Sequence, residues 1–476
     1  MAMLQTNTTK PGRAFPVVVE LTSNLQYILL AAFTLLAAFL RFYKIGEWSF
    51  YGDEIITVKA SEYISDWPLT RLLIYLVLTR IALVLFGTSE WSARFFPALV
   101  GVLSIPAFYF PIRKILDREV ALISALLLAI SPWHLYWSQN ARFYTLILLF
   151  YTISLLLFYL GLEQNNRWYL LLSIIFLVLA VRERFFSLFL YAIFALFTFL
   201  AKRNSDDQQF GHRFRIFLLL IITGMVILLF QGWQSIRGLF QHFNLYQGFE
   251  VNSPFWILGG ILFYLGVPLI CAGFIGMLYL FSQRNPAGRL FGLAATIPIA
   301  TTVLLANFVY TGNRYAFVTL SSWIVLASVG IRELFRYLPG RARLLAAIPL
   351  LMLVLASLSE NALYYLYQNG NRANWKAAFG MIQQRKQAGD LVATANKSLA
   401  DYYLHEDTLD LADGDISKLS SQDARVWIVE DAIIADIFSG MHHWITEKAK
   451  FIADFDVQVA SRNFRMKVFL YDPNWQ

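Results

Sequence analysis

From Leu25 to Leu358 the chain is a succession of long apolar runs separated by short polar connectors. Many approach the roughly 20 residues that a helix needs to cross a bilayer. They are continuous and do not alternate, so the pattern predicts helices and not a barrel. Spanning helices are predicted over 25–43, 94–112, 119–132, 142–162, 168–181, 185–201, 214–231, 255–281, 289–309, 316–336 and 343–358. The runs 119–132 and 168–181 are short for a span and are expected to extend into their flanks. From residue 359 the pattern changes. A helix is predicted from Asn374 to about Lys386, a strand at Asp390–Ala395, a helix at Ser398–His405 and a strand at Arg425–Val429. Ala432–Lys448 reads as a helix and Met466–Tyr471 as a strand. This alternation predicts a small α/β domain at 359–476 beside a transmembrane domain at 1–358.

Composition agrees with a polytopic helical membrane protein. The 476 residues are 58% hydrophobic and 16% aromatic. Only 15% are charged, against roughly 25% in soluble domains. The net charge of +8 reads as basic cytoplasmic connectors. No Lys/Arg block interleaved with stacking aromatics suggests nucleic acid. The single cysteine, Cys271, excludes an internal disulfide and a cysteine metal cluster. Residues 1–24 are polar, and the run after them lacks a small-residue cleavage site, so it is expected to stay as the first helix.

Sidedness turns on 69–87, an apolar run that carries Arg71 and Arg80. If it does not cross, the basic connectors Arg113-Lys114, Arg118, Arg167, Lys202-Arg203, Arg284, Arg289 and Arg332–Arg343 all fall on one side with Lys10 and Arg13. That obeys the positive-inside rule. The run is therefore predicted to lie at the outer interface or to re-enter, leaving about eleven spans, a cytoplasmic N-terminus and an extracytoplasmic C-terminal domain.

In that topology four polar groups share the outer depth: Asp53-Glu54; Gln139, Arg142 and Tyr144 between two spans; Arg182-Glu183-Arg184; and Arg314-Tyr315. Asp53 and Glu54 also suit a helix start, where acidic residues favour the positive end of the helix dipole. Single arginines at helix ends often snorkel. Several arginines opposite a carboxylate pair point further, because the guanidinium fork suits phosphate. A glycosyl phosphate held by a lipid needs this set: cations for the leaving phosphate and a carboxylate to take a proton from the acceptor hydroxyl.

The motifs make the reading specific. They are Arg41-Phe-Tyr with Phe50-Tyr-Gly-Asp53-Glu54; Leu85-Phe-Gly-Thr-Ser-Glu-Trp-Ser-Ala-Arg-Phe-Phe-Pro-Ala-Leu; Ser131-Pro-Trp-His-Leu-Tyr-Trp-Ser-Gln-Asn-Ala-Arg-Phe-Tyr; Asn313-Arg314-Tyr315; and Asn374-Trp375-Lys376. In this order the chain resembles the GT-C superfamily of polyprenyl-phosphate-sugar-dependent glycosyltransferases, in particular bacterial relatives of protein O-mannosyltransferases and of the lipid A aminoarabinose transferase. The resemblance implies a bacterial plasma-membrane enzyme that transfers a sugar with inversion from a polyprenyl-phosphate donor to an acceptor hydroxyl. It implies Asp53 as catalytic base, Glu54 as the second carboxylate, and Arg314-Tyr315 near the donor. Arg71, Arg142, Arg182 and Arg184 are further phosphate or sugar candidates, with Gln139, Tyr144 and Glu183 behind them. Three segments depart from the family: Asp66-Trp67-Pro68 lacks the usual cation before the interfacial helix, Arg182-Glu183-Arg184 replaces Thr-His, and Gln139-Asn140-Ala141-Arg142 replaces Gln-Glu-Ala-Arg. They surround the donor site, so the identity of sugar and acceptor does not carry over.

Other functions fit less well. A flippase of lipid-linked sugars favours mid-membrane charge and paired repeats, whereas these spans are nearly free of charge and no repeat is visible. A ligase acting on a polyprenyl-diphosphate glycan would use a similar arginine-lined site. Some superfamily members use a divalent metal and others none; His134 and His442-His443 do not form a ligand pattern. Glu90 and Arg94 are placed to pair at the start of a span. Glu183 is placed either to pair with Arg182 or Arg184 or to touch substrate. The aromatic stretch 228–256 reads as an interfacial belt or as a cover over substrate.

Overall fold

The computed structural model describes residues 23–64, 73–201, 219, 222–224, 253–308, 311–340, 343–459 and 462–475. Arg71, the Asp66-Trp67-Pro68 segment, most of the predicted span 214–231 and nearly all of the aromatic stretch 228–256 lie outside them.

The first half is a helical bundle of α1 (Ser23–Phe42), α2 (Gly52–Glu62), α3 (Ile74–Phe86), α4 (Glu90–Ile115), α5 (Arg118–Ile130), α6 (Pro132–Ser138), α7 (Tyr144–Glu163), α8 (Arg167–Glu183) and α9 (Phe189–Ala201). After the undescribed segment come α10 (Pro254–Leu265), α11 (Val267–Ser282), α12 (Pro286–Leu305), α13 (Leu320–Tyr337) and α14 (Arg343–Leu366). Among the described residues six helical stretches are long and apolar enough to cross a membrane, or up to eight if each bent pair is one span. The chain is a multi-pass membrane protein.

The breaks have local causes. Between α5 and α6 the axis bends by 56° at Ser131-Pro132. Pro132 has no N–H to continue the ladder and forces Ser131 out of helical geometry, to ψ 121°. Between α10 and α11 the bend is 86°, at Gly266, whose φ of +80° is open to glycine and strained for other residues. The predicted span 255–281 is thus two helices at a sharp angle. In the run 69–87 the described helix is α3. Its 13 residues extend only about 20 Å at 1.5 Å per residue, short of a crossing.

The 313–337 stretch is the centre of the bundle, 89% buried over its most apolar window. The helix α1 lies at the rim. The basic connectors gather at one end: Arg332 pairs with Asp117, Arg336 with Glu119, and Arg113 donates to Tyr27.

The other end is capped by the C-terminal layer. Here α15 (Trp375–Arg385), β1 (Leu391–Thr394), α16 (Lys397–Leu404) and β2 (Leu409–Asp410) are followed by α17 (Ser417–Ser420) and β3 (Val426–Asp431). Then come α18 (Ala432–Ile437), α19 (Ser439–Lys448), β4 (Lys450–Asp454), β5 (Val457–Val459), β6 (Arg462–Phe464) and β7 (Met466–Tyr471). The sheet order is β2-β1-β3-β7-β4, parallel across β2-β1-β3 and antiparallel across β3-β7-β4, with β5-β6 a separate hairpin. The single helix expected over 432–448 is two, broken at Phe438. The expected domain edge at 358 falls inside α14. Polar Ser359, Glu360 and Asn361 end the apolar run there, but Asn361 still donates to the Ile130 carbonyl at 2.8 Å, so the helix continues along the bundle to Leu366.

One apolar cluster joins the two parts. Phe50, Ile55 and Val58 of the α2 region pack with Trp375, Phe379, Ile382 and Leu399 of the C-terminal layer. Helix α2 is therefore clamped between bundle and sheet, and this fixes the site.

Candidate functional site

Helix α2 begins where Tyr51 is extended (ψ 159°), and Asp53 and Glu54 fill its first turn. The two carboxylates then diverge, because neighbouring helical positions point about 100° apart. Asp53 is 31% exposed at the side chain; Glu54 is 0% exposed.

The Oδ2 of Asp53 accepts from the Tyr51 hydroxyl at 2.8 Å, and faces Arg142 at 3.6 Å and Arg314 at 3.5 Å. Arg142 also donates to the Asp53 carbonyl (2.9 Å) and to the Thr57 hydroxyl (3.0 Å). The Nε atoms of Arg142 and Arg314 are buried without a partner. Burial, then the Asp53 charge, pushes the Tyr51 phenol well above its ordinary range. Tyr144 is buried against Trp137, ring centres 3.8 Å apart, and Tyr315 stacks on Phe186 at 5.3 Å.

Glu54 does different work. Its Oε1 accepts from Arg94 and from the Ala141 N–H, each at 2.8 Å. Its Oε2 accepts from Arg94 (2.8 Å), the Tyr51 N–H (3.2 Å) and Arg372 (3.3 Å). Burial alone would raise its pKa; the charges of Arg94 and Arg372 and the donated hydrogen bonds outweigh burial and hold it down to about 2. Arg94 further donates to the carbonyls of Ile45, Trp48 and Ser49, and Arg372 to those of Gly370 and Gln139. Glu54 is thus a buried tie between α2, α4 and the segment after α14, with no hydrogen bond to Asp53.

Two other polar residues are also turned inward. The Gln139 amide donates to the Leu40, Arg41 and Tyr43 carbonyls and accepts from Trp48 and Tyr364. Glu183 accepts from the Ile74 N–H at 2.6 Å and the Tyr75 N–H at 3.4 Å, capping α3. Its neighbour Arg184 lies over the Phe143 ring at 3.9 Å and donates to the Tyr75 hydroxyl, one layer out from Asp53. Arg182 is half-buried at the end of α8. The expected Glu90–Arg94 pair does not form. Arg94 points inward to Glu54, while Glu90 faces the C-terminal layer and meets Lys376 at 2.9 Å and the Tyr403 hydroxyl at 2.8 Å.

Arg372 and Tyr51 were not picked out by sequence reasoning, and Arg94 was expected to pair with Glu90 rather than to reach Glu54. The signal for Arg94 was an arginine sunk inside the apolar run that opens α4. Tyr51 sits inside the Asp53 motif, and nothing local marks Arg372.

The residues around Asp53 do not fit a divalent cation, since its nearest charged neighbours are guanidinium groups. No set of three His, Cys, Asp or Glu side chains gathers among the described residues. His134 meets Arg41 at 2.6 Å, while His442 pairs with Glu430 and His443 with Glu447.

The chain is similar to known proteins in sequence and fold. Residues 72–233 match the dolichyl-phosphate-mannose-protein mannosyltransferase family. The dolichyl-phosphooligosaccharide-protein glycotransferase 2 of Pyrococcus furiosus is 24% identical over 246 residues, 47% of this chain and 32% of that protein. The chain thus spans about a third of that relative's length. The Archaeoglobus fulgidus oligosaccharyltransferase has the same fold, with a TM-score of 0.60 at 13% identity over 89% of this chain and 72% of that one. So does ArnT of Cupriavidus metallidurans, with a TM-score of 0.58 at 13% identity over 94% of this chain and 98% of that one. Structures of ArnT with undecaprenyl phosphate and of the oligosaccharyltransferase with dolichol phosphate and an inhibitory peptide, or with zinc and sulfate, are among the similar ones. The chain thus shares its fold with two membrane proteins, the Archaeoglobus fulgidus oligosaccharyltransferase and ArnT of Cupriavidus metallidurans.

Proposed function

We propose that the chain is a glycosyltransferase that moves a sugar, with inversion, from a polyprenyl-phosphate donor to an acceptor hydroxyl. The reaction takes place at the extracytoplasmic face of a bacterial plasma membrane, with the N-terminus cytoplasmic. The observation that carries this reading is Asp53, half-exposed between Arg142 and Arg314, whose Nε donors have no protein partner. A phosphate arriving there would take both guanidinium groups and loosen their hold on Asp53. The acceptor oxygen attacks the anomeric carbon from the face opposite the phosphate, and its proton passes to Asp53. The bond from anomeric carbon to phosphate oxygen breaks, and Arg142 and Arg314 stabilise the charge on the departing polyprenyl phosphate. Tyr51 orients the Asp53 carboxylate. Arg184 and Tyr315 border the donor, Arg182 extends its cationic edge, and Glu54 supports the base from within.

The test is release of polyprenyl phosphate from labelled polyprenyl-monophosphate sugars by the purified protein. Asp53→Asn is expected to lower turnover by about 10²–10⁴-fold with unchanged thermal unfolding. Full activity in Asp53→Asn would sink the mechanism. The same assay with a polyprenyl-diphosphate oligosaccharide reports whether the chain is instead a glycan ligase.

A further inference from the structure

Beside the Asp53 centre lies a second cavity, of about 130 Å³. It opens where both helix breaks face α14. Trp133 and Tyr136 of α6, Tyr264 and the Gly266 break, and Glu360 and Asn361 of α14 surround it, with Asn371 behind. Its wall is aromatic: Trp133 and Tyr264 stack at 5.3 Å. Its buried unpartnered polar atoms on α14 and just beyond it are acceptors. The Oδ1 of Asn361 is buried without a partner, while its Nδ2 is fixed on the Ile130 carbonyl at 2.8 Å. The Oδ1 of Asn371 is also buried and unpartnered. Glu360 adds a carboxylate. The cavity adjoins the machinery around Asp53, because Arg372, bound to Glu54, lies over the Tyr136 ring at 5.6 Å.

A hydrocarbon chain would leave these oxygens desolvated and unpaired, which is costly. The occupant that matches them carries several donors on a body with an apolar face. A pyranose does this: its C–H face lies on aromatic rings and its hydroxyls donate to carboxylate and carboxamide oxygens. We infer that this cavity is a saccharide subsite that holds a sugar ring of the acceptor. Calling the ring part of the acceptor rests on the transfer reaction proposed above; the binding of a sugar here does not.

The experiment is titration of the full chain, in a detergent without a sugar headgroup, with a panel of methyl pyranosides. The panel comprises methyl glucoside, mannoside, galactoside, N-acetylglucosaminide and glucosaminide. At least one is expected to bind, with Kd raised at least about tenfold by Glu360→Gln, the loss expected for a hydrogen bond to a charged group. Ser357→Phe, on the cavity wall, should block the same binding. Asp53→Asn should leave it intact. Thermal unfolding confirms that each variant is folded. Binding by none of the panel, or binding untouched by both Glu360→Gln and Ser357→Phe, overturns the inference. So does displacement of the glycoside by geranylgeranyl phosphate in the Asp53→Asn variant, which would assign the cavity to the isoprenoid chain. Glycoside binding without any sugar transfer would leave the subsite standing and remove the transfer reading. Transfer without glycoside binding that either Glu360→Gln or Ser357→Phe weakens would do the reverse.

Discussion

Glu54 and Arg372 stand 318 positions apart in the sequence, yet the guanidinium Nε of one lies 3.3 Å from the carboxylate of the other, both almost wholly buried. The same carboxylate takes Arg94. A carboxylate between two cations in a dry interior is tolerated because each charge is matched, and removing one member strands the rest. Glu54→Gln is therefore expected to destabilise the fold by about 3–5 kcal/mol, the range for breaking a buried ion pair. Arg372→Met should do the same, and thermal unfolding of the purified protein measures both. An unchanged melting temperature in Glu54→Gln would show that the pair contributes nothing to the fold.

The pH dependence of that loss has a fixed sign. The Glu54 carboxyl is held at about 2 in the folded chain, below its ordinary value of 4.5. A depressed folded pKa stabilises above the unfolded value, and the contribution is lost as pH falls through the folded one. The gap in melting temperature between wild type and Glu54→Gln should thus be full above pH 5 and narrow steadily towards pH 2. A gap that widens on acidification would contradict the assigned charge state.

How these residues read in sequence depends on the range of their partners. The acidic start of α2 was legible because Asp53 and Glu54 sit next to each other at the end of a polar connector. Which of the two turns inward was not, because it depends on Arg94, 40 positions on from Glu54, and on Arg372 from beyond α14. Gln139 and Glu183 looked like substrate residues because a polar side chain between spans reads alike whether it faces a ligand or backbone N–H and carbonyl groups. The bundle was legible as apolar runs, and the strands β1, β3 and β7 as short β-branched segments. The strands β2 and β4 to β6 were not, being short or carrying charged and polar residues. The bends at Pro132 and Gly266 split what hydropathy averages into single spans.

Arg142 and Arg314 face Asp53 with partly exposed side chains, so they should matter more to turnover than to folding. Lysine keeps the charge and loses the planar fork that grips a phosphate while also reaching Asp53. Arg142→Lys and Arg314→Lys are each expected to lower kcat/KM for the donor by about 10²–10³-fold, as for loss of one donor to a developing charge. The change in stability should stay within about 1 kcal/mol, the scale of an exposed pair. Donor kinetics and unfolding on the same preparations decide it; equal turnover in both variants would remove the arginines from the phosphate site.

The last prediction concerns how Arg314 is held. Helices α11 and α13 cross with almost no side chain between them. A Cβ placed on Gly276 would fall inside the Leu326 carbonyl oxygen, and one on Gly330 inside the Ala272 carbonyl oxygen. Small residues at such a crossing let backbones approach closely in a membrane bundle. The neighbouring helix α10 makes the same kind of approach, since a Cβ on Gly260 would lie 2.6 Å from the Asn313 side chain. Asn313 opens the 3-10 turn, Asn313–Thr319, that carries Arg314 and leads straight into α13. Pushing α11 away from α13 therefore shifts the turn that aims Arg314 at Asp53, 3.5 Å away. Gly276→Ala and Gly330→Ala are each expected to destabilise by about 1–3 kcal/mol, the cost of overpacking. They should also lower sugar transfer although neither glycine touches the site. A cycle combining Gly276→Ala with Arg314→Lys checks the link. If the glycine acts by displacing Arg314, its effect on turnover should largely vanish in the Arg314→Lys background while its effect on stability persists. Fully additive losses in turnover would show that the crossing supports the fold without aiming the arginine.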